Sequence, residues 1–238
     1  MTEAYTAEKA RQDLATANRI LFNQNVVDAF GHVSMRDPAN PAQFLLSRNM
    51  APATVTAGDV LAFDLQGNLL GGGAQKVYLE RFIHAAIYAA RPDVGGVVHS
   101  HASAVVPFTI VKSAKLRPVC HMGGFLSGMI PNFEIRDHAG LGSDLLIRDI
   151  ELGSRLAESL GKSAAVLMRG HGVTVTGNTL QQAVFRSVYT QNNAQIQAAA
   201  MALGEVTFLT DAEALAADDA NVGQISRAWD FWLSQVTA

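Results

Sequence analysis

The stretch Val94–Ser103, VGGVVHSHAS, decides how this chain is read. An apolar run, Val94 to Val98, ends in His99-Ser100-His101. In an extended backbone residues i and i+2 point to the same side, so both imidazoles can reach one point in space. Neutral imidazole binds zinc, manganese, iron or nickel, and a His-x-His pair at a strand end is half of a metal site. Upstream, Phe82, Ile83, Ala86, Ile87 and Ala90 recur at helical spacing, predicting a helix from Tyr78 to Ala90 with Glu80 and His84 one turn apart on its polar face. Arg91-Pro92-Asp93 closes that helix, because proline disfavours helix in the residue before it. Helix, turn, buried strand is the grammar of an α/β domain.

Outward from there, Thr6 to Asn25 predicts an amphipathic helix capped by Thr6. Short strands follow at Phe30–Arg36 and Phe44–Leu46, with a hairpin around Gly67. Beyond the histidines, a helix is expected from Ser103 or Ala104 and a short strand at Arg117–Cys120. A glycine loop (Gly123, Gly124, Gly128) and a strand end near Phe133–Asp137 come next. Asp144 to Leu160 reads as a helix stopped by Gly161, Ala164 to Met168 as a strand with Val173–Thr176 continuing it, and Leu180 to Leu203 as a long helix. The tail is helical from Asp218, with Trp229, Phe231 and Trp232 either packed in the core or forming an oligomer surface.

The bulk properties narrow the function classes. The 238 residues are 49% hydrophobic and 16% charged, which fits a folded chain rather than a disordered one. A net charge of −3 without a basic cluster argues against nucleic acid as partner. One cysteine, Cys120, fits a reducing compartment. The start carries both charge signs and shows no secretory pattern, and no apolar run approaches the roughly 20 residues that span a bilayer. A cytoplasmic protein with no membrane contact is expected.

His171 follows a second apolar run, AAVLM, inside Arg169-Gly170-His171-Gly172, where flanking glycines allow close backbone approach. Three histidines with a free position form a recurrent catalytic site; the simpler reading of His171 is a turn histidine bonded to backbone. Glu80 is a candidate fourth ligand or general acid/base, and its neighbours Tyr78 and Leu79 give it an apolar setting that raises a carboxyl pKa.

The run ERFIHAAIYAARPDVGGVVHSHAS, followed by LMRGHGVTVTG, resembles the class II aldolase/adducin family. The resemblance covers nearly the whole chain. It implies an α/β fold: one three-layer α/β/α domain over 1–238 with a mainly antiparallel central sheet. It also implies one divalent metal ion per subunit (zinc or manganese, with iron or cobalt as alternatives) on His99, His101 and His171, with the acidic position at Glu80. Homotetramers with active sites near subunit interfaces follow from it too.

This chain departs from the sugar-phosphate members where they hold phosphate. A Ser-Ser pair before their acidic residue is here Tyr78-Leu79, and Ser47-Arg48 stands where they carry Ser/Thr-Gly. Leu79 donates no hydrogen bond to phosphate. The segments HVSMR, LLSRN, CHMGGFLSG and PNFEIRD look like those of decarboxylases acting on hydroxylated phthalate- or pyridine-type acids. Arg48 and Arg136 would then recognise a small-molecule carboxylate, since guanidinium pairs with it bidentately; their simpler reading is a surface salt bridge. His121 falls where the aldolases carry a catalytic tyrosine and is a candidate proton donor. His32 either lines the pocket or packs beneath it, and His84 and His138 read as structural. The expected activity is a metal-dependent lyase that removes carbon dioxide from a hydroxy-aromatic acid. The alternatives are retro-aldol cleavage of a hydroxy-carbonyl or sugar-phosphate substrate, and an adducin-like interaction module without chemistry.

Overall fold

The structure is a computed structural model and describes residues 6–237. The first residues of the polar start, and the last residue of the expected 1–238 domain, lie outside them. Helix α1 (Ala7–Asn23) begins as expected, with the Thr6 hydroxyl accepting from the Lys9 N–H at 3.1 Å. Then follow β1 (His32–Arg36), β2 (Gln43–Ser47), β3 (Val60–Asp64), α2 (Arg81–Ala90), β4 (Gly96–Ser100) and α3 (Val106–Ile110). The second half holds β5 (Asn132–Phe133), α4 (Arg136–Ala139), α5 (Ile150–Leu160), β6 (Ala165–Met168) and β7 (Gly172–Gly177). Three helices close it: α6 (Leu180–Leu203), α7 (Asp211–Val222) and α8 (Ile225–Val236).

The seven strands form one sheet in the order β3-β2-β1-β4-β7-β6-β5. Every pairing is antiparallel except β5 with β6. Period-two alternation sorts the side chains. Val33, Met35, Leu45 and Val98 pack with α1, α6 and α8 on one face. Phe44, Leu46, Val97 and Val166 pack with α2 and α5 on the other. The fold is the expected three-layer α/β/α arrangement. His32, Ser34 and His99 share the parity of the α2 face, so the sheet delivers them to one side.

Several boundaries differ from the sequence reading, each for a physical reason. Helix α2 starts at Arg81, not Tyr78; Glu80 is its N-cap residue and does not share a helical face with His84. The helix after the histidine strand starts at Val106. No strand forms at Arg117–Cys120, because α6 acts as its partner. Asn193 accepts from the Val119 N–H and donates to the Arg117 carbonyl, and Gln197 does the same for Arg117 N–H and the Lys115 carbonyl, all at 2.7–3.0 Å. Those side chains satisfy backbone groups that a neighbouring strand would otherwise take.

The glycine loop is a 3-10 helix, His121–Leu126, pressed so closely on α6 and α7 that a Cβ at Gly123 would meet the Asn193 side chain at 2.4 Å. The Phe133–Asp137 stretch turns into α4 after Phe133. Helix α5 begins at Ile150 with Asp149 as its cap, leaving 144–148 as loop. The tail turns helical at Asp211, through a capping box between Thr210 and Glu213, well before Asp218. Trp229 and Trp232 are core residues, and only Phe231 of that trio is exposed. Among the described residues no helix is long and apolar enough to cross a membrane.

Candidate metal centre

His99 is the penultimate residue of the central strand β4, which ends at Ser100, and His101 lies just past it. Antiparallel pairing sets His99 opposite Thr174 of β7, which brings the β6–β7 turn carrying His171 to the same end of the sheet. That approach requires Gly172, since a Cβ there would lie 2.1 Å from the Ser100 carbonyl oxygen. On the other side β1 pairs with β4 so that His32 faces His99. Gly31 leads into β1 at φ +96°, a left-handed conformation that favours glycine.

Glu80, His99, His101 and His171 each offer one ligand atom, and these atoms all lie within 4.8 Å of one another. His101 Nε2 is 3.3 Å from His99 Nε2 and 2.9 Å from His171 Nε2. Glu80 Oε2 lies 3.7 Å from His99 Nε2 and 3.6 Å from His171 Nε2. Ligands of a tetrahedral ion at about 2.0–2.1 Å are separated by roughly 3.3–3.4 Å, so the donor set fits one divalent cation. His99 Nδ1 is 3.3 Å from Thr174 Oγ1, a contact that directs Nε2 toward the cluster.

The electrostatics suit the same occupant. Burial, reinforced by the neighbouring imidazoles, holds His99 well below the ordinary histidine value and brings His171 to about 4. Both therefore present lone pairs at neutral pH, as metal binding requires. Burial raises the Glu80 carboxyl to about 7, opposed by a hydrogen bond from the Ile147 N–H to Oε1 at 3.1 Å.

A cavity of ≈350 Å³ opens beside this cluster. Phe30, Met50, Tyr78, Leu79 and Leu146 give it apolar walls, and His32, Asn49, Glu80, His99 and His101 supply polar groups; among the described residues no lysine or arginine lines it. His32 therefore lines the pocket. Ser47 is fully buried behind it, with Oγ 3.4 Å from the Tyr78 hydroxyl.

The remaining predicted residues are not brought to this cavity within one chain. Arg48 pairs with Asp59 at 2.7 Å, and Arg136 pairs with Glu134 at 2.6 Å. His121 lines a second cavity of ≈700 Å³ with Phe185, Tyr189, Arg227 and Trp232.

The sequence reading missed a buried chain behind His32. His32 Nδ1 and His84 Nε2 are 2.6 Å apart, His84 Nδ1 and Ser34 Oγ 2.6 Å, and Ser34 Oγ and the Tyr88 hydroxyl 2.9 Å. Its signal was present: His32 and Ser34 are two apart on a strand, and His84 and Tyr88 four apart on a helix.

The profile of the Class II Aldolase and Adducin N-terminal domain matches residues 12–198. The chain belongs to the class II aldolase and adducin family. It is 36% identical to decarboxylase tropJ of Talaromyces stipitatus over 91% of this chain and 90% of that protein. It is 30% identical to a 3,4-dihydroxyphthalate decarboxylase of Terrabacter sp., covering 91% of each. An aldolase II superfamily protein of Pseudomonas syringae shares the fold with a TM-score of 0.79 at 22% identity, over 99% of this chain and 94% of that one. Family members that are decarboxylases and aldolases are lyases, and this chain is an enzyme of that class.

Proposed function

We propose that this chain is a metal-dependent carboxy-lyase that removes carbon dioxide from a hydroxylated aromatic acid of the phthalate or pyridine type. One observation carries the reading. The cavity beside the His99–His101–His171–Glu80 cluster is walled by aromatic and aliphatic side chains and lined by no cationic one. Within one chain such walls suit a flat ring. The similarity to decarboxylases supports the same choice over retro-aldol cleavage.

His99, His101 and His171 would hold the ion (zinc or manganese, with iron or cobalt as alternatives), with Glu80 beside it. A divalent ion bound there supplies electrophilic stabilisation of negative charge on the substrate's oxygens. The chain's own residues do the rest. Tyr78, Phe30 and Leu79 take the ring and exclude water from it. Glu80 is buried beside the cluster, a setting that raises a carboxyl, and it would carry the proton the reaction needs. When the C–C bond breaks, its electron pair stays on the ring carbon. The Glu80 proton is passed to that carbon and later regained from water.

His121, Arg48 and Arg136 belong to this reading as residues of a homotetramer. Each stands away from the cavity of its own chain, and reaching a neighbour's cavity would give it the proton-donating or carboxylate-binding role. The setting is cytoplasmic.

The test is to load purified protein with zinc or manganese and offer a panel of o-hydroxy aromatic acids and aldols. Carbon dioxide release that disappears in His99→Ala supports the proposal. Aldehyde release without carbon dioxide refutes it.

A further inference from the structure

The buried chain behind the cavity has an orientation that its two ends decide. His32, His84, Ser34 and Tyr88 are joined by three short contacts, each of which holds one proton. Both imidazoles are buried and, among the described residues, no carboxylate pairs with either, so both are neutral; burial alone brings His84 to about 3. The chain can then be polarised in only two senses. In one, His32 donates from Nδ1 inward, and the last proton, on the Tyr88 hydroxyl, must find an acceptor beyond the chain. Among the described residues the Tyr88 hydroxyl has no hydrogen-bond acceptor other than Ser34 Oγ. In this sense the outgoing proton is left unmatched, at the cost of a buried unsatisfied group. In the other sense every proton is used. Tyr88 donates to Ser34, Ser34 to His84 Nδ1, and His84 Nε2–H to His32 Nδ1.

We infer that His84, Ser34 and Tyr88 are positioning residues that lock His32 in its Nε2–H tautomer, so that the cavity presents one fixed, uncharged N–H donor to a substrate oxygen. The inference rests on the carboxy-lyase reading only for the identity of that oxygen, a carboxylate or phenolate of the aromatic acid. The chain is not a proton wire. It ends at Tyr88, whose hydroxyl is pushed far up by burial among core side chains and cannot give up a proton. A carboxylate entering beside Glu80 meets in this imidazole a donor that adds no buried charge.

The decisive measurement is long-range proton–nitrogen NMR of the full-length, zinc-loaded protein labelled with ¹⁵N-histidine. His32 and His84 are both expected as Nε2–H tautomers; Nδ1–H at His32 overturns the inference. In Ser34→Ala, His84 Nδ1 loses its donor and His84 should shift toward a mixture of tautomers. An unchanged pattern at both rings also overturns it.

Binding of 2-hydroxybenzoate supplies the functional arm. His84→Leu should weaken it about tenfold at unchanged zinc content, the scale of one hydrogen bond to a charged group. His84→Gln, whose amide can donate to His32 Nδ1, should recover most of that loss. Equal weakening in both variants makes His84 a packing residue and refutes the lock, and Ser34→Ala decides the matter if His84→Leu fails to fold. Failure to release carbon dioxide from any hydroxy-aromatic acid, with tautomers and binding as expected, overturns the carboxy-lyase reading and leaves the lock standing.

Discussion

The Ile147 N–H donates to Glu80 Oε1 at 3.1 Å, and this one bond leaves Oε2 aimed at His99 and His171. Glu80 is the N-cap of α2, yet it caps nothing there. Its side chain is held instead by a loop 67 residues later. A carboxylate placed this way is free to work on whatever occupies the cluster.

Replacing Glu80 by Gln keeps an acceptor for Ile147 while removing the exchangeable carboxyl proton. The Glu80→Gln protein should fold and retain metal on its three histidines, with decarboxylation slowed by roughly 10²–10⁴, the usual contribution of a general acid. Circular dichroism, metal analysis and carbon dioxide release together check this. Near-normal turnover would move the acid role to another residue.

Chelation should lower thermal stability, because an ion that binds only the folded state stabilises it by mass action. At a free metal concentration about 100 times Kd the gain is about 2.7 kcal/mol, which corresponds to a Tm shift of roughly 5–10 °C for a chain of this length. His171→Ala should show a smaller metal-dependent shift or none. Scanning calorimetry with and without chelator measures both.

The metal-free protein should lose stability on mild acidification. His84 (about 3), His171 (about 4), His99 and His32 all have folded values below the unfolded one near 6.5. Their contribution is present above pH 6.5 and is lost as pH falls toward the folded values, at up to about 1.4 kcal/mol per pH unit for each. Glu80 acts oppositely. Raised from 4.5 to about 7, it contributes stability that is present below pH 4.5 and lost as pH rises through 7. The histidines outnumber it, so urea unfolding at pH 5 should show a weaker fold than at pH 7. Glu80→Gln should steepen that difference. A flat profile would contradict the neutral, buried histidines.

Gly172→Ala tests how closely β7 must approach β4. The added methyl would sit 2.1 Å from the Ser100 carbonyl oxygen, which is backbone and cannot swing away. We expect a loss of about 1–3 kcal/mol, typical of overpacking, and weaker metal affinity, because the turn carrying His171 moves with β7. Chemical denaturation and metal titration of the same preparation report the two effects.

Much of this was legible locally. The strand ending in His99-Ser100-His101, helix α6 with its glycine stop, and the α1 cap at Thr6 all follow from periodicity and capping chemistry within about 20 residues. The errors fall where distant partners decide. Arg117–Cys120 has strand composition, yet Asn193 and Gln197 take its hydrogen bonds. Tyr78 to Glu80 has helical spacing, yet its side chains are claimed by Met50, Ser47 and Ile147.

The amino-acid sequence by itself determined the two strand-end histidines, their shared face and the apolar runs that bury a sheet on both sides, because side-chain direction is set by backbone period. Tertiary structure alone decided that His171 joins them and that Glu80 is a buried acid rather than a helix-surface charge. It also decided that His32 is backed by His84, Ser34 and Tyr88, and that Arg48 and Arg136 are engaged with Asp59 and Glu134. The reason is that pKa, hydrogen-bond polarity and ligand convergence depend on neighbours within a few ångströms. For the buried site those neighbours arrive from elements some 50 to 75 residues away, placed by sheet register; Arg48 and Arg136 instead meet acids 11 and 2 residues away.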